Sequence, residues 1–160
     1  MEVLFQIDET YIDEIETERL QTAVLTTLKR FSLTQTPETR LTLSVTDNET
    51  VQQLNAQYLD IDAPTDVLSF QNLPDPDFPA VDPEEANYLG DIIIAYPVAR
   101  SQAESRGHSL MDEMSLLAVH GTLHLLEFDH DTPENKAAMW SAQEQVMAEL
   151  GLSHVQPTED

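Results

Sequence analysis

Three of the five histidines in this 160-residue sequence fall within one short stretch, His120-Gly121-Thr122-Leu123-His124-Leu125-Leu126-Glu127-Phe128-Asp129-His130. On a helix, His120 and His124 stand one turn apart and point the same way, so both imidazoles can reach one ion. A helix that ends near Glu127 lets the chain fold back and bring His130 to the same point. Three neutral imidazoles suit Zn²⁺ and leave its fourth tetrahedral position open for water, which is the catalytic rather than the structural pattern. The ion would lower that water's pKa to about 7. Two histidines at a four-residue step arise often by chance. The third histidine and the apolar helix around them strengthen the reading, because unpaired imidazoles buried there would be costly. The chain has no cysteine, so thiolate ligands, thiol catalysis and disulfides are excluded.

The spacing His-x3-His-x5-His equals that of the metzincin peptidases, but their catalytic Glu beside the first His is here Gly121. A peptidase would lack its usual general base. Asp129, Glu127 and Asp91 are the carboxylates that could replace it, and for each a role in holding an imidazole N–H is an equal alternative. Asp91 stands out because it interrupts an apolar strand, where a buried carboxylate needs a partner. Thr65 and Asp66 either position substrate or simply make a turn into a strand. His108 and His154 read as exposed loop or helix-end residues. Trp140, Met139 and Met147, at helical spacing, read as core.

The elements that must position these groups are legible in outline. Residues 3–7 form an opening strand, and apolar positions from Ile12 to Phe31 recur at three- and four-residue steps, which predicts one amphipathic helix. Leu41, Leu43 and Val45 alternate with polar residues as a strand with one buried face, and Asp47 caps a helix carrying Val51, Leu54 and Tyr58. Residues 67–70 and 89–95 are further strands, separated by a proline-rich surface loop over 73–83. Pro97 suits the first turn of a helix. A helix rich in Leu, Met and Ala over 111–126 carries the histidines, and a last helix has Thr132 as cap, Pro133 in its first turn and Gly151 at its end. Strands separated by helices, most of them late, predict an α+β fold: a mixed four-stranded sheet covered mainly on one side.

Length and mass, 160 residues and 18.0 kDa, fit one domain over 1–160. No apolar run approaches the ~20 residues that span a bilayer, and the acidic start Met1-Glu2-Val3 lacks the layout of a signal peptide. A cytoplasmic protein is expected. Charge is lopsided: 7 Lys+Arg against 30 Asp+Glu give −23 and a pI near 4.1, with no cation between Arg40 and Arg100. Such a surface opposes nonspecific binding to DNA, RNA or anionic membranes. It is either a solvated acidic face or one shaped for cationic partners.

His120 to His130 also resembles the HGxLHLxGxDH element of the YbeY family of bacterial endoribonucleases. Leu54 to Tyr58 with Asp62 to Phe70 resembles a second block of that family, and Leu89-Gly90-Asp91-Ile92 its LGDI strand. The resemblance covers most of residues 40–150. It implies a zincin-like fold with a metal-bearing helix and one zinc ion held by His120, His124 and His130. It further implies single-strand-specific cleavage of RNA in maturing the 3′ end of 16S ribosomal RNA, with ribosomal RNA and ribosomal proteins or the small subunit as partners, and neither DNA nor membrane. The alternatives are a ribosome-associated zinc protein with weak or lost nuclease activity, or a zinc peptidase.

Two positions depart from the family's pattern. Leu59 stands where an Arg is usual, which shifts phosphate contact to Arg100, Arg106 or the metal alone. Glu127 stands where Gly is usual, at a turn that favours a left-handed backbone. The catalytic candidates are therefore Asp129, Asp91 and Arg100. An enzyme acting on RNA also needs positive charge, so several of the seven cations are expected near the metal cleft.

Overall fold

The computed structural model describes residues 1–32, 36–72 and 87–156. Among them are four strands, β1 (Glu2–Ile7), β2 (Arg40–Thr46), β3 (Val67–Gln71) and β4 (Tyr88–Ala95). Five α-helices accompany them: α1 (Thr17–Phe31), α2 (Asn48–Leu59), α3 (Tyr96–Arg106), α4 (Leu110–Leu125) and α5 (Pro133–Glu149). The proline-rich stretch over 73–83 lies outside the described residues. No helix among the described residues is long and apolar enough to cross a membrane.

The strands form one sheet in the order β1-β2-β4-β3. β1 and β2, and β2 and β4, run parallel, whereas β3 lies antiparallel to β4 at the edge, with Val67 opposite Ile94 and Gln71 opposite Gly90. The sheet is thus mixed, as the sequence predicts. Side-chain alternation divides it into two faces. Leu41, Leu43, Val45, Ile92 and Ile94 face α1, α4 and α5 and make the main core with Leu20, Val24, Leu28, Met114 and Leu123. Leu68, Phe70 and Ile93 face the other way, where α2 covers them with Val51 and Leu54. Helices therefore lie mainly on one side. Each Leu or Ile fully buried there contributes roughly 1.5–3 kcal/mol.

α4 is the central element. Its residues are buried on nearly every side, which explains why it reads as an apolar run rather than an amphipathic stripe. Ser109 caps its start by accepting from Asp112 N. Asp47 and Thr132 cap α2 and α5 in the same way, accepting from Thr50 N and Asn135 N.

One expected helix is shorter than its spacing predicts. Ile12–Glu14 is a separate 3₁₀ turn, Ile15 and Glu16 are extended, and α1 begins only at Thr17. Tertiary contacts outweigh periodicity here. Tyr11 stacks on Tyr96 at 4.0 Å between ring centres, and Tyr96 Oη donates to Glu14, so the turn is drawn to α3.

Candidate metal centre

α4 delivers two of the three histidines, and its C-terminal turn delivers the third. The helix ends in a Schellman motif: Phe128 N donates to the Leu123 carbonyl and Glu127 N to that of His124. Glu127 occupies the left-handed position with φ of 73°. A Glu there is strained by ~1 kcal/mol or more relative to Gly, yet the motif closes. Phe128 then packs edge-on against Phe31 of α1, 5.6 Å between ring centres. Asp129 accepts from His130 N at 2.7 Å, which fixes the next residue. This reversal brings His130 back over the last turns of α4.

Ligand-capable nitrogens of His120, His124 and His130 all lie within 4.8 Å of one another. His120 Nε2 and His124 Nε2 are 3.2 Å apart. Two nitrogens on one tetrahedral zinc, each at ~2.0–2.1 Å, would be separated by about 3.3 Å. The donor set therefore fits such an ion. His120 and His124 are half-buried and His130 is exposed, which leaves the cluster open to solvent on the His130 side.

Electrostatics keep the rings available. Burial, followed by the neighbouring rings of His120 and His130, holds His124 down to about 4. Burial also lowers His120, against the opposing effects of its bond to Gln143 and the negative charge of Asp66. Both rings are neutral at pH 7, with lone pairs ready for a cation.

The surrounding side chains set orientation. His120 Nδ1 donates to Gln143 Oε1 at 2.9 Å. An amide oxygen only accepts, so the proton sits on Nδ1 and the Nε2 lone pair points to the cluster. Ser69 Oγ donates to the Gly121 carbonyl and Gln71 Nε2 to that of His124, both at 3.0 Å, clamping α4 to the edge strand β3. A Cβ on Gly121 would lie 2.7 Å from the Ile92 side chain. The position where metzincins carry their Glu thus faces the sheet at a distance that admits no side chain. Trp140 meets His120 and His130 edge to face, 5.8 Å from each ring centre.

Of the sequence-stated catalytic candidates, Asp129 alone adjoins the cluster, and its charge favours protonation of His124. Asp91 points to the α2 face of the sheet, away from α4, and accepts from Tyr88 Oη at 2.8 Å, which in turn accepts from Thr42 Oγ1 at 2.6 Å. Arg100 belongs to the far end of the sheet. It bonds Glu14 and Tyr96 beside the finish of β4, whereas His124 lies against Gln71, opposite the start of β4. Glu127 is not among the clustered ligand atoms.

Two readings need correction. His108 is not exposed: its side chain is only 7% accessible, and Nε2 lies 3.2 Å from Oε2 of the fully buried Glu113. Arg106 completes this cluster with bonds of 2.6 and 3.2 Å to the same carboxylate. Burial raises the Glu113 carboxyl, with Arg106 and His108 pulling it back down. Trp140 lines the histidine cluster instead of serving only as core, while Met139 and Met147 are buried as expected. Gln143 gave one usable signal in the sequence: it is a polar residue on the apolar Met139–Ala142–Val146 face of α5, where a buried amide needs a partner.

Comparison with known proteins agrees with this geometry. Residues 4–151 match the family model described as Endoribonuclease YbeY. The chain belongs to the YbeY family. A Brevibacillus brevis relative named Endoribonuclease YbeY is 41% identical over 150 residues, covering 88% of this chain and 94% of the relative. One from Moorella thermoacetica with the same name is 48% identical over 117 residues, 72% of this chain and 75% of the relative. The fold is also similar to a Thermotoga maritima protein solved in solution, with a TM-score of 0.55 at 18% identity over 99% of both chains. Within the YbeY frame, the α+β fold with its mixed sheet and histidine-bearing helix stands as the sequence predicts.

Proposed function

We propose that this chain is a zinc-dependent endoribonuclease of single-stranded RNA, with His120, His124 and His130 as the ligands of one ion. The observation that carries the reading is the convergence of three imidazoles, with His120 and His124 Nε2 atoms 3.2 Å apart, in a member of a family named for endoribonuclease activity. When bound, zinc supplies charge stabilisation at the scissile phosphate and acidifies water. The chain's own residues do the rest. Gln143 orients His120, Gln71 and Ser69 fix the helix that carries the ligands, and Asp129 holds the turn that returns His130. Asp129 is also the carboxylate best situated to accept a proton there.

The reading extends to maturation of the 3′ end of 16S ribosomal RNA in the cytoplasm, with the small subunit as partner. It is supported by the family membership and by the resemblance of the three sequence blocks. Metal analysis with an RNA cleavage assay on wild type and the three His→Ala variants tests it. One zinc per chain, lost together with cleavage in each variant, is expected. Cells carrying His124→Ala should accumulate small-subunit RNA extended at its 3′ end.

A second reading, a ribosome-associated zinc protein with little nuclease activity, is favoured by one observation: Arg19, Arg30, Arg100 and Arg106 are all paired to carboxylates. Equal residual cleavage by wild type and His124→Ala would select it.

A further inference from the structure

A chain of net charge −23 has to hold a polyanion, and the expected gathering of several cations at the metal centre is not observed among the described residues. Arg19 pairs with Asp112, Arg30 with Glu149, Arg100 with Glu14 and Glu104, and Arg106 with Glu113. Each of these charges is met locally by a carboxylate, so each adds little net field to the cleft. Attraction to phosphates is therefore weak here, and the other handle on a single strand of RNA is its bases.

A cavity suited to a base adjoins the histidines. It has a volume of about 230 Å³ and lies between α4, α5 and the chain that follows α5. Two residues that line it, Trp140 and Gln143, also belong to the metal centre: Gln143 accepts from His120, and the Trp140 ring meets His120 and His130 edge to face. The cavity and the ligand cluster thus share a wall. Lys136, over the Trp140 ring, stands one turn before it on α5, whereas Gln143, Glu144 and Met147 follow it, so the cavity extends along α5 away from that ammonium.

Size and polarity select the occupant. A cavity of ~150 Å³ takes up benzene, whereas pockets that enclose a whole drug-sized ligand begin near ~300 Å³. This one admits a one- or two-ring heterocycle without its sugar and phosphate. Leu116, Met147 and Val155 are buried and give it an apolar floor. Trp140 offers an indole for stacking, and its Nε1 is buried without a hydrogen-bond partner among the described residues, a donor that a base carbonyl would satisfy. Glu144 and Ser153 are exposed at the rim. The Glu144 carboxylate opposes a phosphate but can accept from the exocyclic amino group of a base.

We propose that this cavity is a nucleobase subsite, which takes one unpaired base of the RNA substrate against Trp140, beside the metal centre. Stacking on an aromatic ring tolerates any base, because each has a π face. A base held in a duplex cannot enter, so the subsite also gives a physical reason for acting on single strands. This assignment rests on the endoribonuclease reading.

Trp140 is the chain's one tryptophan, so its fluorescence reports on the cavity directly. The test titrates the full chain, with and without zinc, with adenosine, ribose phosphate and N-acetyl-leucinamide. It compares wild type with Ser153→Phe, which fills the cavity from its exposed rim, and Ser153→Ala, which leaves it open. Adenosine should quench the emission saturably in both zinc states, ribose phosphate should not, and Ser153→Phe should abolish the quenching. On a single-stranded RNA oligonucleotide, zinc-loaded Ser153→Phe should show KM raised about tenfold with a smaller change in kcat. Its zinc content and Tm should not change, and Ser153→Ala should match wild type throughout. No quenching of wild type by adenosine, or equal quenching in Ser153→Phe, would overturn the subsite while leaving the nuclease reading intact. Saturation by N-acetyl-leucinamide in place of adenosine would overturn it too, marking a socket for an apolar protein side chain. Adenosine quenching without any cleavage by zinc-loaded wild type would instead overturn the nuclease reading and keep the cavity as a base-binding site.

Discussion

His120 Nδ1 donates to Gln143 Oε1 across 2.9 Å, and this single bond links the metal helix α4 to the last helix α5. It fixes the ring's tautomer and its rotation together. Gln143→Leu should leave the chain folded but lower zinc affinity by about 10- to 100-fold. Gln143→Glu, which still accepts from Nδ1, should retain it. Competition titration with a chromophoric chelator reads both.

The depressed His124 gives the metal-free protein a defined acid sensitivity. In the unfolded chain this ring takes up its proton near 6.5, whereas the folded chain resists until about 4. Below 6.5 the unfolded state thus binds more protons, so stability is fully present above that pH and is lost as pH falls toward 4. The full difference corresponds to about 3 kcal/mol, which partial exposure of the ring reduces to about 2 kcal/mol. Urea unfolding of the zinc-free protein at pH 7 and pH 4.5 should show the loss, and His124→Asn should diminish it.

Glu127 holds a left-handed backbone without a side-chain bond among the described contacts. Glu127→Gly should therefore raise stability by up to about 1 kcal/mol, the relief of strain being partly offset by the freer unfolded chain. A higher Tm with unchanged zinc content is the expected result, measured by calorimetry.

Gly121 is required by space. Its missing Cβ would stand 2.7 Å from the fully buried Ile92 side chain. Gly121→Ala should cost about 1–3 kcal/mol as the helix and sheet are forced apart. Gly121→Glu, which recreates the metzincin pattern, should unfold the protein and yield no peptidase. Thermal melts and a peptide-library digest decide the two points.

Arg106 and His108 surround Glu113, which has no solvent exposure at all. Arg106→Met would leave that carboxylate without the guanidinium nitrogen that bonds both its oxygens and should destabilise the chain by about 3–5 kcal/mol. Arg106→Met combined with Glu113→Met should be much less harmful, because no unpaired charge remains. Denaturant midpoints of the single and double variants measure this.

The sequence by itself determined the three histidines that cluster, the helix that carries two of them and the order of strands and helices, because helical spacing, capping residues and alternation are local properties of the chain. The family resemblance, with Gly usual at position 127, also marked that position for a left-handed turn, and Glu127 adopts one with φ of 73°. The tertiary structure decided what those signals could not. Gln143 and Trp140 reach the centre because α5 packs across α4, and nothing in residues 140–143 encodes that crossing. Asp91 and Arg100 looked equally eligible along the chain, yet sheet alternation turned one to the opposite face and the far end of β4 took the other. The separate 3₁₀ turn at Ile12–Glu14 likewise depended on Tyr96, far along the chain. Local spacing names the groups a centre is made of; which neighbours orient them is set by long-range packing, whose free energy is shared across the whole core.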